Sequence, residues 1–220
     1  MSAALPQAGD KGIEMKQYNL LIAGVGGQGV ILAGNIIGEA ALAACYDVKK
    51  TDTLGMAQRG GSVISHLRMA PKVFSPLIKR GEADIMLAFE KLEAARWSHY
   101  LRPGGVAIIN NQALPPLSVS LGDECYPDDE EIISILKQQT DSFYLVNGTS
   151  RARELGSIKT LNIFMLGCLS HFIPLGDSTW RECITQSLPS KVVGLNITAF
   201  EQGRKEIRDI LNTKTESCNG

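Results

Sequence analysis

Short apolar runs alternate with longer, proline-free stretches through the first two-thirds of the chain. Tyr18-Asn-Leu-Leu-Ile-Ala-Gly24 is one such run, closed by glycine, with the profile of a strand buried on both faces. Gln28 to Ala44, rich in Ala, Leu and Ile, predicts a helix, and Asp47 to Thr53 a second strand. From Ser62 to Met69, Val63, Ile64 and Leu67 lie among Ser65, His66 and Arg68, which predicts a third strand. Ala83-Asp-Ile-Met-Leu-Ala-Phe89 is another buried-strand run, and Glu90 to Leu101 predicts a helix. Pro103-Gly104-Gly105 predicts a turn into a strand from Val106 to Asn110. Asp128-Asp129-Glu130-Glu131 places acids where a helix dipole favours them, opening a helix to about Gln139, and Ser142 to Val146 predicts a strand. The last third predicts helices over 159–172, 178–188 and 197–211. The first of these is apolar round much of its circumference, so it is buried inside the domain or under a partner.

This alternation predicts an α/β fold, a single-domain Rossmann-like three-layer sandwich with a Gly-rich strand–helix loop and a helical C-terminal third. The 220 residues suit one domain, read here as 18–211 between a flexible N-terminal tail (1–17) and a C-terminal tail (212–220). Composition narrows the function. Lys plus Arg (22) nearly cancels Asp plus Glu (23), for a net charge of -1, which argues against coating nucleic acid. No run of about 18 apolar residues predicts a membrane span, and no apolar core of signal-peptide length precedes Tyr18, so a cytoplasmic location is expected. The cysteines Cys45, Cys125, Cys168, Cys183 and Cys218 form no C-x-x-C pair, and neither a zinc site nor an iron–sulfur cluster is expected. They read as scattered thiols in a reducing compartment.

Candidate chemistry begins at Gly24-Val-Gly26-Gly27-Gln28-Gly29, a G-x-G-x-x-G pattern between a strand and a helix. Its glycines permit a tight turn, close backbone approach to a phosphate, and close strand–helix packing. Free N–H groups at the helix start suit an anion. A dinucleotide would also need an acid about 20 residues on to hold the ribose. Asp47 and Asp52 are the nearest, at the start and far end of the next strand with Lys49-Lys50 between them. A second glycine-rich segment, Thr53-Leu-Gly55-Met-Ala-Gln58-Arg59-Gly60-Gly61-Ser-Val63, surrounds Gln58 and Arg59 with glycines. Two readings fit it: a surface turn with a hydrated arginine, or a loop whose Arg59 grips a phosphate or carboxylate through paired hydrogen bonds.

Taken together with Ser75-Pro-Leu-Ile78, Gly81-Glu-Ala-Asp-Ile85 and Glu90-Lys-Leu-Glu93, these blocks resemble, in order, the gamma-type subunits of 2-oxoacid:ferredoxin oxidoreductases. The nearest likeness is to the beta subunits of indolepyruvate:ferredoxin oxidoreductases, where the gamma-type domain stands alone. The resemblance runs from about Tyr18 to about Leu211. It implies a heteromeric enzyme that cleaves aryl pyruvates oxidatively to acyl-CoA and carbon dioxide, with ferredoxin as acceptor. It implies thiamine diphosphate, magnesium, iron–sulfur clusters and coenzyme A in the complex, with the thiamine and cluster sites on a larger partner chain, in a heterodimer or heterotetramer. No cofactor is assigned to this chain alone, and no catalytic residue. The resemblance further suggests that Gly24, Gly26, Gly27, Gln28, Gly29, Gln58, Arg59, Gly60 and Gly61 face the larger subunit and shape the coenzyme A approach, or that they only dock that subunit. The competing reading is a stand-alone dinucleotide-binding module.

Other polar residues carry less. His66, His99 and His171 are far apart, without carboxylate or cysteine at ligand spacing, and a structural role is expected of His66. Ser62 and Ser65 lie outside any nucleophile-elbow pattern. Glu90 and Glu93 fit either a ligand crevice or the first turn of a helix.

Overall fold

A computed structural model of the chain describes residues 16–55, 60–116, 119 and 125–218. The N-terminal segment 1–15, expected as a tail, lies outside the described residues, as do Gln58 and Arg59. Six strands form one sheet: β1 (Tyr18–Val25), β2 (Asp47–Leu54), β3 (Ser62–Ala70), β4 (Ala83–Ala88), β5 (Leu101–Asn110) and β6 (Phe143–Val146). Their order is β2-β3-β1-β4-β5-β6. The pairs β1–β4, β4–β5 and β5–β6 are parallel, whereas β3 runs antiparallel to both β1 and β2. The helices are α1 (Val30–Ala43), α2 (Lys91–Trp97), α3 (Asp129–Lys137), α4 (Gly148–Glu154), α5 (Leu161–Leu169), α6 (Asp177–Ser187) and α7 (Ser190–Cys218).

The period-two alternation of the strands makes two cores, one on each face of the sheet. Leu20 and Ile22 of β1, with Ile85 and Leu87 of β4, point to α1 and α4–α7. Leu21, Met86 and Ala88 point the other way, to α2, α3 and Ile78 of the β3–β4 connection. Three layers result, as the sequence pattern predicts. Each fully buried Leu or Ile contributes about 1.5–3 kcal/mol, which is why the central strand β1 is apolar on both faces. Helix α5 is buried along its whole length inside this domain, under α7, which settles where its apolar circumference goes.

Several boundaries differ from the sequence reading. The helix expected over 90–101 stops at Trp97; a 3-10 turn (Ser98–Tyr100) follows and Leu101 already pairs with Ala83. Pro103-Gly104-Gly105, expected as a turn, therefore lies inside β5 as an irregularity, with Gly104 at φ 71. Helix α7 begins at Ser190 and runs to Cys218, past the Leu211 limit read from sequence. Among the described residues no helix is long and apolar enough to cross a membrane.

His66, in mid-β3, illustrates how loop and sheet are locked. Its Nδ1 accepts the Ile78 backbone N–H at 3.3 Å, and burial pushes its pKa down. The folded state thus holds His66 neutral below the pH at which the unfolded chain takes up a proton. Stability from this group is present above about pH 6.5 and lost as pH falls through the unfolded and then the folded pKa. Urea unfolding of the wild type should weaken from pH 7.5 to 5.5, and His66→Gln should flatten that dependence.

Candidate functional site

Helix α1 lies on one face of the sheet and α2 on the other, so the chain leaves β1 and β4 in opposite directions. That divergence opens a crevice at the carboxyl ends of two adjacent parallel strands, the usual ligand position in open α/β sheets. The first glycine loop sits at this point. Gly27 and Gly29 adopt φ 104 and φ 82, conformations that glycine takes at no steric cost. Gly29 caps α1 with no side-chain hydrogen bond, so the first backbone N–H groups of α1 face outward. The loop is fixed from beneath by Gln28: its Oε1 accepts from the Val25 N–H at 2.8 Å and its Nε2 donates to the Phe89 carbonyl at 3.0 Å. Gly24 leaves room for this arrangement, since a Cβ there would come within 2.9 Å of both Gln28 Oε1 and the Phe89 Cβ.

The second glycine segment closes the β2–β3 hairpin at the same end of the sheet. The Gly55 N–H donates to the Ser62 carbonyl at 2.8 Å, and Gly60 takes φ 78. The Gly26 N–H donates to the Gly61 carbonyl at 2.8 Å, which joins the two loops directly. Of the nine residues singled out from sequence, Gly24, Gly26, Gly27, Gln28, Gly29, Gly60 and Gly61 are thus brought together, and Gln58 and Arg59 lie outside the described residues. Below the hairpin, Ser62 Oγ donates to Glu93, which also takes the Arg96 guanidinium and the Trp97 Nε1–H.

Residues that sequence reasoning passed over complete the crevice. A cleft of about 360 Å³ is lined by Gly27–Gly29, Gln112, Leu114, Thr149, Arg153, Ile158, Lys159, Leu161 and Asn162. Its floor is a buried relay: the Asn110 amide donates to the Phe89 carbonyl (3.0 Å) and to Thr149 Oγ1 (2.9 Å), and its Oδ1 accepts the Thr149 N–H (3.0 Å). Arg153 and Lys159 supply cationic rim groups. Asn110 ends a strand legible in the sequence, but its place under the glycine loop arises only through the shared Phe89 carbonyl; Arg153 and Lys159 lie on α4 and the turn before α5 and carry no periodic signal. A second, mostly apolar cleft of about 740 Å³ lies on the other side of the loop, between Ile31, Leu32 and Asn35 of α1 and Leu54–Gly55 of the hairpin.

The topology withholds from the glycine loop the two acids that a dinucleotide reading would use. Strand β3 is inserted between β1 and β2, so Asp47 and Asp52 lie on the far edge strand and not beside the glycine loop. Asp47 instead accepts the Val73 N–H at 2.8 Å, and Asp52 pairs with Lys50 at 2.6 Å. Glu90, 1% exposed, proves to be the N-cap of α2: it accepts from the Glu93 N–H at 2.8 Å, from the Leu114 N–H at 3.0 Å and from Tyr126 Oη. Burial and that hydrogen bond push the Tyr126 phenol far above its ordinary range. Asp128 caps α3 through the Glu131 N–H at 2.8 Å. Among the described residues no group of His, Cys, Asp or Glu is placed to hold a metal ion, and Cys45, Cys125, Cys168 and Cys183 are free.

Known proteins resemble this chain in sequence and in fold. Residues 19–206 match the family model described as pyruvate ferredoxin/flavodoxin oxidoreductase. The indolepyruvate oxidoreductase subunit IorB of Pyrococcus horikoshii is 39% identical over 201 residues, 90% of this chain and 100% of that one. The 2-oxoglutarate synthase subunit KorC of Methanothermobacter marburgensis is 30% identical over 199 residues, 86% and 95% of the two chains. In fold, the gamma subunit of a keto/oxoacid ferredoxin oxidoreductase from Geobacter sulfurreducens superposes with a TM-score of 0.65 at 23% identity, over 87% of this chain and 99% of that one. With the family model running from Asn19 in β1 to Glu206 in α7, the chain belongs to the pyruvate ferredoxin/flavodoxin oxidoreductase family.

Proposed function

We propose that this chain is the small subunit of an indolepyruvate-type 2-oxoacid:ferredoxin oxidoreductase, and that its glycine-loop end meets a larger catalytic chain and borders the approach of coenzyme A. The observation that carries the reading is the Gly26–Gly61 hydrogen bond, which holds both glycine loops at one end of the sheet. Around that end stand Ile31, Leu54, Leu114 and Ile158, four large apolar side chains left exposed. Such clustering marks a protein interface. Indolepyruvate as substrate is supported by the kinship with the IorB subunits, and it meets mainly the larger chain.

The chemistry of the cleft fits a phosphate-bearing ligand. The uncapped start of α1 presents N–H groups, and Arg153 and Lys159 stand on the rim. In the complex, coenzyme A is the acyl acceptor. This chain's part is to hold and orient: Gly27–Gly29 through backbone N–H groups, and Arg59, Arg153 and Lys159 through charge. Thiamine diphosphate, magnesium and the clusters are assigned to the larger chain.

Anaerobic co-purification with the larger chain should yield a brown complex that reduces a dye when given indolepyruvate and coenzyme A. In that complex Arg59→Ala and Arg153→Ala should each raise the apparent KM for coenzyme A about tenfold, the ~1.4 kcal/mol of one charge-assisted contact, with assembly intact. Loss of assembly with unchanged coenzyme kinetics would reduce the loops to docking alone.

A further inference from the structure

The connection between β3 and β4 presents a second surface of different character. It folds back over the sheet face carrying α2, with Val73 and Ile78 buried and Phe74 and Leu77 turned outward, 88% and 60% exposed. This segment is held in place rather than left to fray. Asp47 accepts the Val73 N–H at 2.8 Å, His66 accepts the Ile78 N–H at 3.3 Å, and Arg68 Nη1 donates to the Ser75 carbonyl at 3.2 Å. A phenylalanine almost wholly in water, on a backbone already ordered, has paid its conformational cost before any partner arrives. Aromatic anchors of this kind dominate interface energetics.

The segment starts where β3 ends, at the amino end of β1. The glycine loops lie at the carboxyl end, about 25 Å away along the eight residues of that strand. The two surfaces are therefore separate. Charge says what covers this one. Lys72, Lys79 and Arg80 are exposed around Phe74 and Leu77. Asp47 lies in the field of Lys72 and Glu82 pairs with Lys79 at 3.9 Å, so Arg80 carries the local excess of positive charge. In a chain of net charge -1 this is a local basic rim around an apolar tip. A second copy meeting it symmetrically would press two basic rims together, which like-charge repulsion opposes.

We infer that Phe74 and Leu77 form a second docking point, which inserts into an acid-rimmed apolar socket on the larger chain of the complex. The inference rests on the subunit reading above. Two variants test it in the co-expressed complex: Phe74→Ser with Leu77→Ser, and Lys72→Glu with Lys79→Glu and Arg80→Glu. These side chains are exposed, so the full-length variants should melt at the wild-type temperature when isolated. In the complex, native mass spectrometry and light scattering should show the small subunit held at least tenfold more weakly by both. The charge reversal should weaken it most at low salt, because screening removes that component at high salt. Retention of both variants at wild-type affinity would overturn the docking point while leaving the subunit reading intact. An isolated wild-type chain that is a dimer, split by the Phe74 and Leu77 substitutions, would assign the surface to a second copy and overturn it as well. A wild-type chain that captures no larger subunit takes both readings down.

Discussion

Gly203→Ala is expected to destabilise the chain by roughly 2–4 kcal/mol, a loss far larger than one methyl group ordinarily brings. Helices α5 and α7 cross where Gly167 faces the backbone of one helix and Gly203 the backbone of the other. A Cβ on Gly203 would lie inside 3.0 Å of the Phe164 carbonyl oxygen and at 2.9 Å from its carbon; one on Gly167 would crowd the Phe200 carbonyl in the same way. The obstacles are backbone atoms, so no rotamer change relieves them, and the helices must move apart. Phe164 and Phe200 are both fully buried, and the Cys168 thiol donates to the Gly203 carbonyl at 3.2 Å across the same crossing. Separation therefore opens the core as well as breaking that contact. For a domain of this size the melting temperature should fall by roughly 5–15 °C. Gly194→Ala in the same helix is the matched control, because nothing lies within 4 Å of its Cβ position. Removing a helical glycine there should be neutral or stabilising by up to about 1 kcal/mol. Equal gains from both substitutions would show that helix propensity, not the crossing, governs the site.

How far the fold could be read from the residues depended on whether a segment carries a period. Strands β1 and β4 announced themselves as apolar runs because they are buried on both faces, and α1 followed from its uninterrupted Ala, Leu and Ile. Strand order carries no such local mark. That β3 enters between β1 and β2 is a long-range pairing, and it alone decides that Asp47 and Asp52 cannot serve the glycine loop. Helix α4 escaped notice because it is seven residues opening Gly148-Thr-Ser, with Ala152 its one apolar residue, and Arg153 went with it. The start of α7 was placed late because Gly194 interrupts its pattern. The glycine motifs were legible as motifs; their junction through Gly26 and Gly61, and the Asn110–Thr149 floor beneath them, exist only once distant segments meet.

At the glycine loop, Gly29→Val should leave the chain folded but about 2–3 kcal/mol less stable, and should cut indolepyruvate- and coenzyme A-dependent turnover of the complex at least tenfold. Two costs combine. At φ 82 a β-branched residue is in a left-handed conformation costing about 1–2 kcal/mol. The new Cβ would also lie 2.8 Å from Asn162 Nδ2 and 3.1 Å from its Cβ, so α5 or the loop must shift. The shift matters because Gly29 and Asn162 line one cleft, and moving either alters where the first N–H groups of α1 point. Gly27→Ala separates the two costs: Gly27 has φ 104 but no neighbour within 4 Å of its Cβ position. It should lose about 1–2 kcal/mol from backbone strain while keeping most of the turnover. Asn162→Ala combined with Gly29→Val removes the crowded partner, and a double-mutant cycle read by urea unfolding should return part of the loss. Additive losses would mean that the left-handed backbone alone is responsible. The turnover defect would then trace to the loop's own shape and not to its packing on α5.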